Sequence, residues 1–189
     1  MSQLQPKIVA LGGSLDGGRA TRLALDHVLA AATRAGADVE VLDLAELDLP
    51  LYVHGQPPPA VAQRVTAAVR AADGLVWGSP LYHGSVSGAF KNAIDWLELL
   101  GRDDPPYLTD KVVALVAAAG GVQGLQAINA MEQMVRALRG ITLPLVVPIE
   151  RAHLAFATDG AAKEPQLAEQ LARQGTELVR LAAKLRGGR

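Results

Sequence analysis

The sequence predicts an α/β protein in which five parallel strands form one central sheet with helices on both faces. Five short apolar segments alternate with five longer helix-like stretches along the 189 residues, an order that is typical of βαβ units with right-handed crossovers. Hydrophobic residues make up 50% of the chain, enough to fill the core of a single domain over residues 1–189. The expected strand order is 2-1-3-4-5, in which ligands bind beyond the carboxyl ends of the strands, where the order reverses.

The predicted strands differ in how deeply they should lie in the sheet. Their bounds are Lys7–Gly12, Asp38–Asp43, Gly74–Gly78, Lys111–Ala117 and Leu143–Ile149. The first is continuously apolar, as a strand covered on both faces should be. The second alternates in polarity, which favours a position nearer the edge. Pro144 and Pro148 place the fifth strand at an edge, because proline has no N–H to donate to a neighbouring strand.

The helix-like stretches carry recognisable start and stop signals. Their predicted bounds are Thr21–Arg34, Ala60–Ala72, Ser87–Leu100, Gly124–Arg139 and Glu164–Arg186. Gly36 is suited to end the first helix, and the Pro57–Pro59 triplet can start the second helix but not continue it. In the last stretch, leucines recur at helical spacing after Pro165.

Composition excludes several classes of function. The chain has 18 Lys and Arg against 19 Asp and Glu, whereas nucleic-acid and polybasic membrane binders carry a basic excess. It has no cysteine, which removes disulfides, thiolate nucleophiles, zinc fingers and iron–sulfur clusters. The four histidines form no H-x-x-x-H pair, so no metal site is expected. With no signal peptide or apolar span visible, we expect a soluble cytoplasmic protein that binds neither nucleic acid nor membrane.

The loop after the first strand has the composition of a phosphate site. Between Gly12 and Thr21, four glycines let backbone N–H groups turn toward an anion, and a helix start adds free donors. Ser14, Arg19 and Thr21 add side-chain donors. The loop matches neither the dinucleotide fingerprint nor the P-loop, whose Lys and hydroxyl it lacks. A P-loop-like nucleotide hydrolase is therefore a weaker alternative, and a glycine-rich turn that binds nothing also stays open.

Two further loops end at the same edge of the predicted sheet. In Gly78–Gly88, the residues Pro80, Leu81 and Tyr82 offer an apolar surface beside backbone polar groups, which suits a flat heteroaromatic ring. The alternative is that Tyr82 packs on its own helix. In Ala118–Gly124, paired glycines permit a close approach of the backbone to a ligand.

These segments resemble the NADPH-dependent FMN reductases, a family with the flavodoxin-like fold. The resemblance covers roughly residues 7–150 and is most specific at 80–96. The residues that carry it are Gly13-Ser14, Arg19-Ala20-Thr21, Asp43-Leu44, Leu49-Pro50-Leu51-Tyr52, Ser79-Pro80-Leu81-Tyr82 with Ser85, and Lys91-Asn92-Ala93-Ile94-Asp95-Trp96. The resemblance implies a flavodoxin-like three-layer α/β sandwich.

The resemblance also implies FMN as the cofactor and NADPH as the electron donor. The residues implied for the phosphate are Ser14, Arg19, Thr21 and the N–H of Ala20. Those implied for the flavin ring are Pro80, Leu81, Tyr82, His83, Gly84 and Ser85, with Gly120 and Gly121 on its far side. Many relatives have a basic residue where this chain has Asp16, and a carboxylate there should lower affinity for phosphate unless it points away.

The expected function is that of an NAD(P)H-dependent oxidoreductase. Hydride would pass from NADPH to the flavin, and the electrons then to an acceptor: free FMN, a quinone, an azo compound or a metal oxyanion. Because the flavin carries the chemistry, no catalytic acid–base residue is expected. The alternative is a flavodoxin-like electron carrier without NADPH turnover, although such carriers tend to be more acidic than this chain.

The apolar surface of two helices predicts self-association. In a regular helix over Ser87–Leu100, apolar residues including Trp96 and Leu99 cover a wider arc than one sheet needs. Gly124–Arg139 adds a second broad apolar side. We therefore expect a homodimer or a dimer of dimers. The family resemblance implies the same kind of association, with the flavin close to the subunit boundary. The alternative is that a long loop, such as Glu150–Lys163, covers the surplus.

Overall fold

The parallel sheet has the predicted strand order, with two short additions. The computed structural model describes residues 5–15 and 19–187. Within them the strands are β1 Lys7–Gly12, β2 Asp38–Asp43, β3 Gly74–Tyr82, β4 Ser85–Val86, β5 Val112–Ala118, β6 Ile141–Thr142 and β7 Val147–Ile149. The order is β2-β1-β3-β5-β6, with β4 paired to β3 and β7 paired to β5. The α/β flavodoxin-like prediction is thus confirmed.

Helices cover both faces of this sheet. The α-helices in the described ranges are α1 Arg19–Arg34, α2 Leu44–Leu47, α3 Ala60–Ala71, α4 Gly88–Asp95, α5 Leu125–Ala137, α6 Ala152–Ala155 and α7 Pro165–Arg186, and a 3₁₀ helix spans Trp96–Leu100. Along β3, Trp77 faces the layer of α3, α4 and α5, whereas Val76 faces the layer of α1 and α7, as alternating side chains require. No helix of this described part is long and apolar enough to cross a membrane.

The predicted fifth strand is two strands separated by a break. Instead of one strand over Leu143–Ile149, β6 and β7 each pair parallel to β5, and Pro144 lies in the gap between them. There Gln174, fully buried on α7, donates its Nε2 to the carbonyl oxygens of Leu115 at 3.0 Å and Leu145 at 2.9 Å. A side-chain amide therefore replaces strand pairing across the gap.

The predicted helix Ser87–Leu100 changes geometry halfway. Ser87 caps the start of α4, where its hydroxyl accepts from the N–H of Phe90, but the last five residues form the tighter 3₁₀ helix. Trp96 is only 2% exposed, and its Nε1 donates to the Pro50 carbonyl at 2.8 Å. The prediction that Trp96 belongs to a surplus apolar surface, buried only by self-association, was therefore wrong, because the protomer itself buries this side chain.

The chain itself covers Trp96, but not with the loop that was considered. The segment around Pro50 packs on Trp96, and the Tyr52 ring meets the indole edge-on at 5.2 Å. Leu99 is half-buried. The loop Glu150–Lys163 lies on the other side of the sheet, against α1: Gly160 accepts a hydrogen bond from α1 through His27.

Candidate functional site

A cleft of about 450 Å³ opens at the carboxyl edge of the sheet, where the three glycine-containing loops meet. The predicted site residues that line it are Ser14, Arg19, Ala20, Thr21, Pro80, Leu81, Tyr82 and Gly120. The other residues that line it are Leu23, Ala118, Ala152, His153, Phe156 and Ala157. His83, Gly84, Ser85 and Gly121 were predicted for the site but do not border this cleft.

One end of the cleft is electropositive. Helix α1 begins at Arg19, and the N–H groups of its first turn have no partner within the helix. The helix dipole adds partial positive charge at this end. Thr21 is buried beneath it, while Arg19 is exposed and reaches the Thr158 carbonyl at 3.5 Å. The residues Asp16, Gly17 and Gly18, on which part of the phosphate prediction fell, lie outside the described residues.

Close packing between strand ends explains two glycines of the first loop. A Cβ on Gly12 would lie 2.1 Å from the Gly78 carbonyl oxygen on the neighbouring strand. Gly13 has φ 125°, and a Cβ there would lie 2.6 Å from Asp43 Oδ1. These glycines are therefore required by the approach of β1 to β3 and β2, whatever the loop binds.

An ion-pair cluster holds the start of α1 against the end of β2. Asp43 accepts from the Ala45 N–H at 2.9 Å and so caps α2, and its second oxygen accepts from Arg22 at 2.6 Å. Arg22 also donates to Asp26 at 2.9 Å. Hydrogen bonds to Asp26 and then Asp43 raise the pKa of Arg22. The Asp43 carboxylate is thus committed to structural contacts.

The other end of the cleft is an apolar β-hairpin. The strand β3 runs four residues beyond the predicted end at Gly78, and β4 pairs back with it, Tyr82 opposite Ser85. His83 and Gly84 make the turn with φ 50° and 82°, the two positive values of a type I′ turn. The segment that was predicted to be a loop therefore forms, over residues 79–86, a two-stranded hairpin, here called the ribbon.

Hydrogen bonds at both ends of the ribbon fix the position of Tyr82. At its base, the buried Ser79 hydroxyl donates to the Pro80 carbonyl and accepts from the Ser87 N–H. At its tip, the Tyr82 hydroxyl lies 3.4 Å from Ser14 Oγ, and the side chain is 44% exposed. Tyr82 thus leans toward the first loop rather than onto its own helix.

The third loop places Gly120 at the cleft. A Cβ on Gly120 would meet no atom within 4 Å, whereas a Cβ on Gly121 would lie 2.7 Å from the Gln123 side chain. Gly120 therefore borders open space, whereas a side chain at Gly121 would collide with Gln123 of the same loop. No group of three or more His, Asp or Glu side chains that could hold a metal lies together among the described residues.

Sequence reasoning missed the wall formed by residues 152–157. These residues follow β7 and have no glycine-rich or charged motif. The signal that could have found them lies on α1, where Arg19, Leu23 and His27 recur at a spacing of four residues. Such residues share one face of a helix, and this face required another segment of the chain to pack against it.

The shape and donors of the cleft fit FMN. Its volume lies within the usual range for small-molecule sites. One end is electropositive and the other is apolar, which matches the charged phosphate and the flat ring at the two ends of FMN. A helix start with Arg19 and Thr21 suits a phosphate, and the apolar ribbon beside Gly120 suits a flat ring.

A doubly wound sheet with a phosphate-suited helix start and an apolar ribbon at its carboxyl edge defines a protein of the flavodoxin-like class. The flavoenzyme NAD(P)H:(acceptor) oxidoreductase FerB from Paracoccus denitrificans has this fold, with a TM-score of 0.77, 21% identity and coverage of 95% of this chain and 98% of that chain. The chain belongs to the NADPH-dependent FMN reductase family, whose profile matches residues 6–154.

Relatives in sequence agree with this assignment. The NADPH-dependent FMN reductase ArsH of Shigella flexneri is 30% identical over 180 residues, which cover 95% of this chain and 70% of that protein. The probable NADPH:quinone oxidoreductase 2 of Oryza sativa is 32% identical over 152 residues, 79% of this chain and 72% of that protein. The predicted family, its oxidoreductase activity and its use of FMN and NADPH are thereby confirmed.

Proposed function

We propose that the cleft holds FMN and passes electrons from NADPH to a small aromatic acceptor of the quinone or azo class. The observation that carries this proposal is the joining, in one cleft, of an electropositive helix start and an apolar ribbon. When bound, FMN supplies the two-electron redox chemistry. The chain acts as a single domain that binds and orients the reactants.

The residues divide into two groups by what they would bind. Arg19, Thr21 and the first-turn N–H groups of α1 anchor the phosphate, where positive charge and donors are concentrated. Pro80, Leu81 and Tyr82 form a platform for one part of the ring, and the open side of Gly120 leaves room beside it.

The aromatic class of acceptor follows from the surroundings of the cleft. Tyr82 in the ribbon is 44% exposed and Val122 in the third loop is 55% exposed, so an apolar acceptor would gain contacts there. The rice relative is named for a quinone. A metal oxyanion would need cations, and Arg19 is already assigned to the phosphate.

We further propose that the protein works as a homodimer, or a dimer of dimers, in the cytoplasm. A shallow, mostly apolar depression of about 350 Å³ lies between α4 and α5, where Ile94, Met134, Ala137 and Leu138 line it together with the charged residues Lys91, Asp95 and Glu98. A twofold contact would bury this face against its own copy. A chain without cysteine is compatible with a reducing compartment.

An absorbance experiment tests the central proposal. Protein incubated with FMN and then desalted should keep a flavin spectrum, and anaerobic NADPH should bleach it. A quinone added next should restore the oxidised spectrum. Retention of FMN without bleaching by NADPH would indicate the electron carrier instead, and tight binding of ATP without FMN would indicate the nucleotide hydrolase.

A further inference from the structure

Residues 152–163 form a compact segment, here called the strap, that lies over α1. The strap folds back on itself: the Ala157 N–H donates to the Ala161 carbonyl at 2.8 Å, and the Lys163 N–H to the Ala155 carbonyl at 2.9 Å. The Ala161 N–H is bound in turn by Asp159 Oδ1 at 3.0 Å. These bonds give the strap a defined shape although it carries only the short helix α6.

One face of α1 packs against the strap. Arg19, Leu23 and His27 lie one helical turn apart along that face. His27 Nε2 lies 2.9 Å from the Gly160 carbonyl oxygen, and its ring stacks on Phe156 with centroids 5.7 Å apart and planes 29° apart. The imidazole therefore holds the strap by a hydrogen bond and by ring contact at once.

Gly160 lets the strap approach α1 closely. It is buried, has φ 89°, and a Cβ there would lie 3.0 Å from Leu23 Cδ2. A residue with a side chain would be strained in this backbone conformation and would push against α1. The contact between strap and helix is thus tight at the position where His27 binds.

The base of the strap is joined to the third loop of the cleft. The Arg151 N–H donates to the Gly121 carbonyl at 3.0 Å, and the Ala152 N–H donates to the Ala119 carbonyl at 2.8 Å. The strap therefore runs from the loop beside the expected flavin ring to the helix that starts at the expected phosphate. Between these anchors, Ala152, His153, Phe156 and Ala157 line the cleft.

We propose that the strap is a wall of the FMN cleft and that His27 is a positioning residue which holds this wall closed and slows release of the flavin. The proposal rests on the assignment of the cleft to FMN. His27 does not border the cleft; it acts through Phe156 and Gly160. FMN would contact the strap only while the strap lies against α1, which is its closed position. Binding of FMN and closure of the strap must therefore stabilise each other.

The first experiment measures the rate of FMN release from four variants. His27→Ala removes both the ring contact and the hydrogen bond, His27→Phe keeps the ring, and His27→Gln keeps a donor. The matched control is Thr33→Ala on the same helix, because the Thr33 hydroxyl donates only to Leu29 in its own helix. Release is followed by the recovery of flavin fluorescence after dilution.

The expected result is graded. One hydrogen bond together with one ring contact corresponds to roughly a 10-fold faster release for His27→Ala. His27→Phe and His27→Gln should fall between this variant and the wild type, and Thr33→Ala should release FMN at the wild-type rate. Equal release rates in wild type and His27→Ala would overturn the strap proposal.

A second measurement needs no variant. Hydrogen–deuterium exchange of the wild-type protein should slow at the amides of Ala157, Gly160 and Lys163 when FMN is added, because closure and binding are coupled. Unchanged exchange in protein that retains FMN would refute the strap while leaving the cleft assignment intact. Failure of the wild type to bind FMN would instead refute the proposed function itself.

Discussion

Arg19 is the cation at the electropositive end of the cleft. Its only described side-chain contact is the 3.5 Å approach to Thr158, so the guanidinium is available for a phosphate. A hydrogen bond to a charged group contributes about 1.5–3 kcal/mol, and Arg19→Ala should weaken FMN binding roughly 10- to 150-fold. Titration with riboflavin, which has no phosphate, should show almost no loss. Equal losses for the two ligands would show that Arg19 shapes the loop instead.

Gly120 tests the opposite end of the cleft. Because an added Cβ meets no protein atom within 4 Å, Gly120→Val should fold with an unchanged melting temperature. The side chain would project into the space assigned to the ring, and overpacking of this kind costs about 1–3 kcal/mol, or roughly 5- to 150-fold in FMN affinity. Gly88→Ala is the matched control, since its Cβ also enters open space. Normal FMN affinity in Gly120→Val would place the ring elsewhere.

At the scale of elements, Gln174 hydrogen-bonds the backbone carbonyls that the interruption between β6 and β7 would otherwise leave without a partner. Its Nε2 serves two carbonyl oxygens across the gap between β6 and β7. Gln174→Met should therefore lower the free energy of unfolding by about 1–3 kcal/mol, the usual cost of buried unsatisfied groups. Chemical denaturation measures this change. Gln170→Met, one turn earlier and exposed, should unfold like the wild type, and a matching loss in both variants would point to helix propensity.

The sequence predicted the secondary structure correctly where the local pattern of residue types is enough to determine it. The continuous apolar runs located β1, β3 and β5 to within a few residues at their starts, because strands covered on both faces leave no place for polar side chains. The turn at His83 and Gly84 was not visible, since a histidine with positive φ is uncommon and no Asn-Gly or Asp-Gly pair marked it. The break in the fifth strand depends on Gln174, which is distant in sequence.

The candidate site was predictable at its glycine-rich parts and not at its wall. Ser14, Arg19 and Tyr82 stood in loops whose position follows from the order of strands. The strap contains five alanines and no glycine-rich or charged motif, and it acquires its place only through contacts with α1 and the third loop. The burial of Trp96 within the protomer was missed for a related reason, since the covering segment around Pro50 precedes Trp96 by more than forty residues.

At the scale of the whole molecule, the proposed dimer can be tested without damaging the fold. Ala137 is exposed on α5 and lines the apolar depression, so Ala137→Glu should leave the protomer folded but dissociate the dimer. Ala183→Glu, exposed on α7 at the opposite face, should leave the association unchanged. Sedimentation at micromolar concentration distinguishes them, and a wild type that sediments as a monomer would refute the dimer. Trp96→Glu is unsuitable, because it would bury a charge within the protomer.

Both tryptophans of the chain lie buried in the same layer as the ribbon. Trp77 is fully buried in β3, three residues before the platform at Pro80, and Trp96 is packed at the end of α4. Neither indole is exposed to water, so the tryptophan fluorescence should be blue-shifted and insensitive to quenchers added to the solution. An isoalloxazine ring seated on the ribbon would accept their excitation energy across a short distance. Intrinsic fluorescence should therefore fall as the cleft fills and rise again as it empties.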